Sequence, residues 1–286
     1  MWRAALARTR YWRFVVSFTE SIDTALVTGA SAGIGATYAD RLAQRGHPLV
    51  LVARHAARLE ALAERLVRDH RGRVEILTAD LTVPAERLRV EQRLREDTRI
   101  GMLVNNAGIA SGSAIASTPA DVHEAMIQLN VVAPTRLVAA LLPRLLHQGR
   151  GSIINIGSVL ALTPDTFGGS YAASKSYLLS YTQALHAEIA EQGVRVQVVL
   201  PGVTRTHLQG EAGERLARIP AEWVMEVDEM VDAALAGFDA GELVTLPSLP
   251  DPDDWERFET ARHRLAPMLS RDHAADRYKS DIPEDA

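Results

Sequence analysis

Tyr171 and Lys175 stand one i,i+4 step apart, so on a helix a phenol and an ammonium rise from the same face. A phenol can give and take a proton, and a neighbouring cation biases which form it holds. Such pairs arise often by chance, and the surroundings single this one out. Ser158 lies thirteen positions earlier and closes the apolar run Ser152 to Gly157, while Asn105-Asn106-Ala107-Gly108 closes the run before it. If both runs are parallel strands, these residues sit at their carboxyl ends, where open α/β sheets bind ligands. The basic residues point the same way. Of 31 lysines and arginines only Lys175 and Lys279 are lysine, so position 175 calls for a compact ammonium rather than the chain's habitual guanidinium.

A second cluster is built for phosphate. Thr28-Gly29-Ala30-Ser31-Ala32-Gly33-Ile34-Gly35 follows an aliphatic run and opens a helical one. Its three glycines let backbone amides at a helix N-terminus approach a pyrophosphate. The spacing is G-x-x-x-G-x-G rather than G-x-G-x-x-G, and the strand before and helix after supply the context such a motif needs. The next aliphatic run, Leu51-Val52-Ala53, ends in Arg54 where an NAD site would carry an acid. A guanidinium there can pair with the 2′-phosphate of NADP, with Arg58 one helical turn further on; the alternative is a surface arginine without a ligand.

These residues need an α/β frame. From Thr24 on, short aliphatic runs alternate with helical stretches. The expected strands are Ala25 to Thr28, Leu49 to Val52, Val74 to Leu77, Met102 to Asn105, Ser152 to Ile156, Val194 to Leu200 and Leu243 to Thr245. The expected helices include Gly35 to Arg45, Ala56 to Asp69, Ala85 to Glu96 and Tyr171 to Gln192. Most strand runs are apolar throughout, as in a sheet covered by helices on both faces. There is no repeat, and the organisation is an extension over residues 1–22, one domain over 23–246, and a Pro/Asp-rich loop, a helix from Trp255 to Leu269 and a polar tail over 247–286.

TGASAGIG, NNAG, the serine thirteen positions before YAASK, and PGVTRT from Pro201 to Thr206 together resemble the short-chain dehydrogenase/reductase family, over about Thr24 to Thr245. The resemblance implies a single Rossmann-type, doubly wound α/β domain with a seven-stranded parallel sheet. It implies a tetrad of Asn130, Ser158, Tyr171 and Lys175, and cofactor contacts at Gly29, Ser31, Gly33, Ile34 and Gly35, at Asp80 and Leu81, at Asn106, Ala107 and Gly108, and at Pro201, Gly202, Val203 and Thr206. In carbonyl reduction Tyr171 would be the acid, with Lys175 and an oxidised nicotinamide favouring its phenolate; Ser158 would donate to the developing oxyanion, and Asn130 would hold a water. The alternative for Asn130 is a side chain satisfying helix backbone near Pro134. The reading is an NADP(H)-dependent oxidoreductase of ketones, aldehydes and alcohols. Its rivals are an NAD(H)-dependent relative and a dinucleotide sensor without turnover.

Ile109, Val159, Leu160, Leu162, Phe167, Val203 and Leu208 flank the motifs and predict an apolar substrate pocket, with a variable loop from Thr206 to Trp223 and His207 facing either substrate or solvent. The absence of cysteine excludes disulfides, thiolate metal sites and cysteine nucleophiles, and the nine histidines show no ligand spacing, so no metal is expected. A net charge of -5 and a pI near 6.0 argue against nucleic acid. No apolar run approaches the roughly 20 residues that span a bilayer, and the longest are interrupted by Arg, Pro or Gly. The first 22 residues interleave Arg3, Arg8, Arg10 and Arg13 with Trp2, Tyr11, Trp12, Phe14 and Phe18. They read as a tail outside the fold; a membrane-surface segment and a secretory signal are the alternatives. A cytoplasmic homo-oligomer, dimer or tetramer, completes the expectation.

Overall fold

The strands are runs of β-branched and aliphatic residues too short for helices, and their two faces are both apolar because helices cover both. In the computed structural model, which describes residues 23–111, 114–165, 169–206 and 219–279, seven of them form one parallel sheet. They are β1 (Thr24–Thr28), β2 (Leu49–Ala53), β3 (Val74–Thr78), β4 (Ile100–Asn105), β5 (Gly151–Ile156), β6 (Val194–Val199) and β9 (Val244–Thr245), in the order β3-β2-β1-β4-β5-β6-β9. A two-stranded pair, β7 (Thr204–Arg205) and β8 (Met225–Glu226), stands apart. The fold is the Rossmann-like doubly wound sheet that the sequence implies.

Alternate residues of each strand feed opposite cores. Ala25, Val27, Leu49, Leu51 and Val104 pack against α1 (Gly33–Gln44), α2 (Ala56–His70) and α7 (Val227–Asp239). Leu26, Val50, Val52, Leu103 and Ile153 pack against α3 (Pro84–Glu96), α5 (Ala133–Gln148) and α6 (Gly169–Ile189). β3 departs from the all-apolar expectation. It is the edge strand, and Glu75 and Ile76 are exposed.

Boundaries shift at several places. The helix bearing Tyr171 begins two residues earlier, at Gly169, and the last helix, α8 (Pro252–Leu265), starts at a proline capped by Asp251 and ends in a 3₁₀ turn, Ala266–Met268. The sequence pattern does not announce α4 (Ala120–Ile127), the π-turn Gln128–Val132 and α5, which run on as one helical stretch. This stretch, Ala120–Gln148, overturns the expectation that no run is long and apolar enough to cross a membrane; among the described residues it alone qualifies by length and composition. Half of its most apolar 18-residue window is buried, with Leu137, Leu141 and Leu145 against the sheet, which is the packing of a core helix. Pro134 and Pro143 do not break it: the π-turn directly precedes Pro134, whose missing N–H would otherwise leave a gap in the ladder. The expected N-terminal extension, Phe167, His207, Leu208 and the end of the tail lie outside the described residues.

Candidate active site

The site forms where the winding of the sheet reverses. β1 is bonded to β2 on one side and β4 on the other, so the connections leaving their carboxyl ends diverge and open a crevice. Thr28 pins this point. Its hydroxyl donates to the Val104 carbonyl at 3.3 Å and accepts the amides of Asn106 and Ala107, each at 3.0 Å. The Asn106 side chain then donates to the carbonyls of Thr28 at 2.9 Å and Gly29 at 3.2 Å, so Asn106 braces the glycine turn from behind.

Gly29 has φ +66°, and a side chain there would run into Asn106 Nδ2 at 2.7 Å, so both conformation and space demand glycine. Gly35 lies beneath the turn rather than in the crevice. The N-terminus of α1 has no side-chain cap and no acid in its first turn, leaving its amides for an outside anion. A cleft of about 420 Å³ runs past them. It is bounded by Gly29, Gly33 and Ile34, by Asn106, Ala107, Gly108, Ile109 and Ala110, by Ile156, Gly157 and Ser158, by Tyr171 and Lys175, and by Pro201, Gly202, Thr204 and Thr206. A hollow of about 180 Å³ continues it over Ser31, Arg54, Asp80 and Leu81. Arg54 is exposed and lies 3.7 Å from the Asp80 carboxylate. Arg58 lines a separate hollow with Ser31, Arg41 and Arg65. Beside Lys175 the floor is bare backbone: a side chain on Gly108 would stand 3.5 Å from Lys175 Nζ and 3.2 Å from Asn130 Oδ1. Uncapped amides, a glycine turn and this backbone floor suit a dinucleotide laid from the hollow to Lys175.

The tetrad residues meet at the inner end. Lys175 is buried and donates to the Ile156 carbonyl at 2.7 Å, with its ammonium 5.6 Å from the centre of the Tyr171 ring. Ser158 opens a 3₁₀ turn by accepting the Leu160 amide at 3.2 Å, which leaves its proton free to donate into the cleft that it lines with Tyr171. Asn130, carried on the π-turn, exchanges bonds with the backbone of Ile109 at 2.8 and 3.0 Å and donates to Ser174 Oγ at 3.0 Å. It therefore satisfies backbone, but that of the loop after β4 rather than of a helix near Pro134. Ser174 donates in turn to the Tyr171 carbonyl at 2.7 Å. The motif reading passed over Ser174 and Thr28 as site residues, although Ser174 stands i,i+3 from Tyr171 and Thr28 heads the glycine turn.

A family model described as short chain dehydrogenase matches residues 23–217. The chain belongs to the short-chain dehydrogenase family. The structure of a short-chain dehydrogenase from Sphingobium yanoikuyae in complex with NADPH is 49% identical and covers 90% of this chain and all of its own, with a TM-score of 0.87. A bulky-bulky ketone specific alcohol dehydrogenase from Comamonas testosteroni is 44% identical over 90% of this chain and 98% of its own, with a TM-score of 0.83. A 7beta-hydroxysteroid dehydrogenase of Mediterraneibacter gnavus is 29% identical over 74% of this chain and 83% of its own. The chain is thus an oxidoreductase that binds a nicotinamide dinucleotide.

Within this dehydrogenase the electrostatics differ from the sequence expectation at one point. Burial raises the Tyr171 phenol above its ordinary value, opposed by the Ser158 hydrogen bond, and Lys175 is not among the causes. The protein by itself holds Tyr171 as a proton donor. Burial also pushes the Lys175 amine down to about 8. At Asp80 burial raises the carboxyl, but the Thr82 hydroxyl and amide and the Arg54 charge outweigh it and hold it below its usual value. The apolar wall is narrower than expected. Ile109 lines the cleft, whereas Val159 and Leu162 pack against the core of Leu179, Val198 and Leu200, and Val203 turns its carbonyl to the Met225 amide. Among the described residues no group of three or more His, Asp or Glu is placed to hold a metal.

Proposed function

We propose that this short-chain dehydrogenase is a cytoplasmic, homo-oligomeric, NADP(H)-dependent enzyme that interconverts ketones carrying bulky apolar groups with their secondary alcohols. The observation that carries the reading is the convergence of Ser158 and Tyr171 on one backbone-floored cleft beside buried Lys175. When bound, the dinucleotide supplies the hydride that reaches the carbonyl carbon. Ser158 O–H and Tyr171 O–H both donate to the carbonyl oxygen, stabilising the negative charge that develops there, and the Tyr171 proton passes to it. Burial suits Tyr171 to this step by keeping the phenol protonated at neutral pH. Lys175, next to Gly108, is placed to hold the sugar hydroxyls and to stabilise the phenolate left behind.

The preference for NADP(H) rests on Arg54, whose guanidinium ends β2 with no acid beside it in sequence, and agrees with the NADPH complex of the Sphingobium protein. The bulky-ketone class rests on the likeness to the Comamonas enzyme. The test is oxidation of NADPH and NADH across ketones of increasing size, with Tyr171→Phe alongside. Tyr171→Phe should bind cofactor normally and lose turnover by at least the ~100-fold that general acid catalysis commonly supplies. Near-normal turnover in that variant would sink the mechanism.

A further inference from the structure

The phenol of Tyr171 sits on the first turn of α6, the part of a helix whose amides have no partner within it and whose direction depends on outside anchors. The chain enters that turn through Gly169, at φ +45°, under the side chain of Ile115: a Cβ on Gly169 would lie 2.6 Å from Ile115 Cγ1. Ser170, the residue before Tyr171, bonds through Oγ to His123 Nδ1 on α4 at 2.7 Å. The other nitrogen of that ring, Nε2, faces the Ile115 carbonyl at 3.3 Å. A carbonyl only accepts, so Nε2 carries the ring proton, and in the neutral imidazole Nδ1 accepts from the Ser170 hydroxyl. One side chain therefore ties α4, the 3₁₀ turn Ile115–Ser117 and the start of α6 together.

We propose that His123 is a positioning residue for Tyr171, fixing the first turn of α6 through Ser170 and the Ile115 carbonyl so that the phenol meets the substrate oxygen. The role rests on the proposed reaction only for its kinetic consequence. Histidine suits it because its rigid ring presents an acceptor and a donor on opposite sides at once, spanning two segments that also meet through Ile115 and Gly169.

His123→Phe keeps the ring and removes both bonds, Ser170→Ala removes one partner, and His123→Asn restores an acceptor at the Nδ1 position. His123→Phe and Ser170→Ala should each lower kcat about tenfold, less than the ~100-fold of a full 1 Å displacement of a reacting group. The double variant should lose no more than either single one. His123→Asn should recover most of the loss, while NADPH affinity, read by fluorescence, stays within about twofold of the parent. Amide exchange at 169–173 should accelerate in His123→Phe whether or not any ketone is reduced. Unchanged exchange overturns the proposal whatever the enzyme's activity, as do losses that multiply in the double variant. Accelerated exchange in His123→Phe, with a parent that reduces no ketone, would instead remove the proposed reaction and leave the anchor standing.

Discussion

Lys175→Met should reverse its effect on stability between neutral and alkaline pH. The Lys175 amine is buried and its pKa is about 8, against 10.5 for a solvated lysine. Between these values the unfolded chain binds the proton and the folded chain does not, so stability rises with pH across that window and the full penalty is present below it. The interval corresponds to about 3 kcal/mol. Methionine removes the penalty but strands the Ile156 carbonyl that Lys175 Nζ bonds at 2.7 Å, a loss of about 1–3 kcal/mol. At pH ~7 the methionine variant should therefore equal the parent or exceed it by up to ~2 kcal/mol; near pH ~10, where the unfolded lysine is still partly protonated and about 0.8 kcal/mol of the penalty persists, it should be the weaker by up to ~2 kcal/mol. Urea denaturation of the ligand-free protein at several pH values measures the difference, and ionisations common to both proteins cancel. A difference that stays constant within ~0.5 kcal/mol would refute the buried, shifted amine. Turnover separates charge from shape: Lys175→Arg keeps the cation but replaces a compact ammonium with a planar fork, so it should be nearly as inactive as Lys175→Met.

Arg54→Asp should shift preference from NADPH toward NADH, since it removes a cation from the proposed 2′-phosphate site and sets a carboxylate near Asp80. A charged hydrogen bond contributes about 1.5–3 kcal/mol, so NADPH affinity should fall about 10- to 150-fold; a parent that already prefers NADH would overturn the assignment. Tyr38→Phe should stabilise the protein by about 1 kcal/mol and raise its melting temperature, because the Tyr38 hydroxyl is fully buried among apolar side chains without a hydrogen-bond partner among the described residues. A lower melting temperature would show that the hydroxyl is satisfied.

The parts of this molecule that read clearly from sequence are those in which local pattern and long-range packing agree. Leu49–Ala53 is apolar on both faces and is paired on both edges within the sheet; Tyr171 and Lys175 share a face because the helix period says so. The segment 120–148 hid its helices because its apolar residues continue around Pro134 and Pro143, which punctuate a sequence without stopping a helix braced by the sheet. A separate cause hid the bracing roles of Ser174, Thr28 and Asn106. Each is polar in a motif whose other members point at ligand, and only the fold shows these three turned inward onto backbone. Val159 and Leu162 adjoin Ser158 and so suggest pocket wall from sequence, but both are partly buried against the cluster of Leu179, Val198 and Leu200.

The inward-turned polar residues explain how groups on separate elements keep their mutual distances. Asn105 of β4 donates to Asn155 of β5 at 2.9 Å, and Asn155 donates to Thr182 of α6 at 2.9 Å, a buried chain that crosses from sheet to helix one layer below Lys175. Above it, Ile109, Asn130, Ser174 and the Tyr171 carbonyl form a second chain from the β4 loop to α6. Each bond adds only about 0.5–1.5 kcal/mol, but breaking one strands a buried partner at a cost of about 1–3 kcal/mol. A sideways slip of α6 on the sheet would break both chains together, whereas apolar contacts alone would tolerate it. The direction of α6 is thus specified by polar bonds at two levels, and the start of its first turn, ahead of the Tyr171 carbonyl, is tied down by Ser170 and His123.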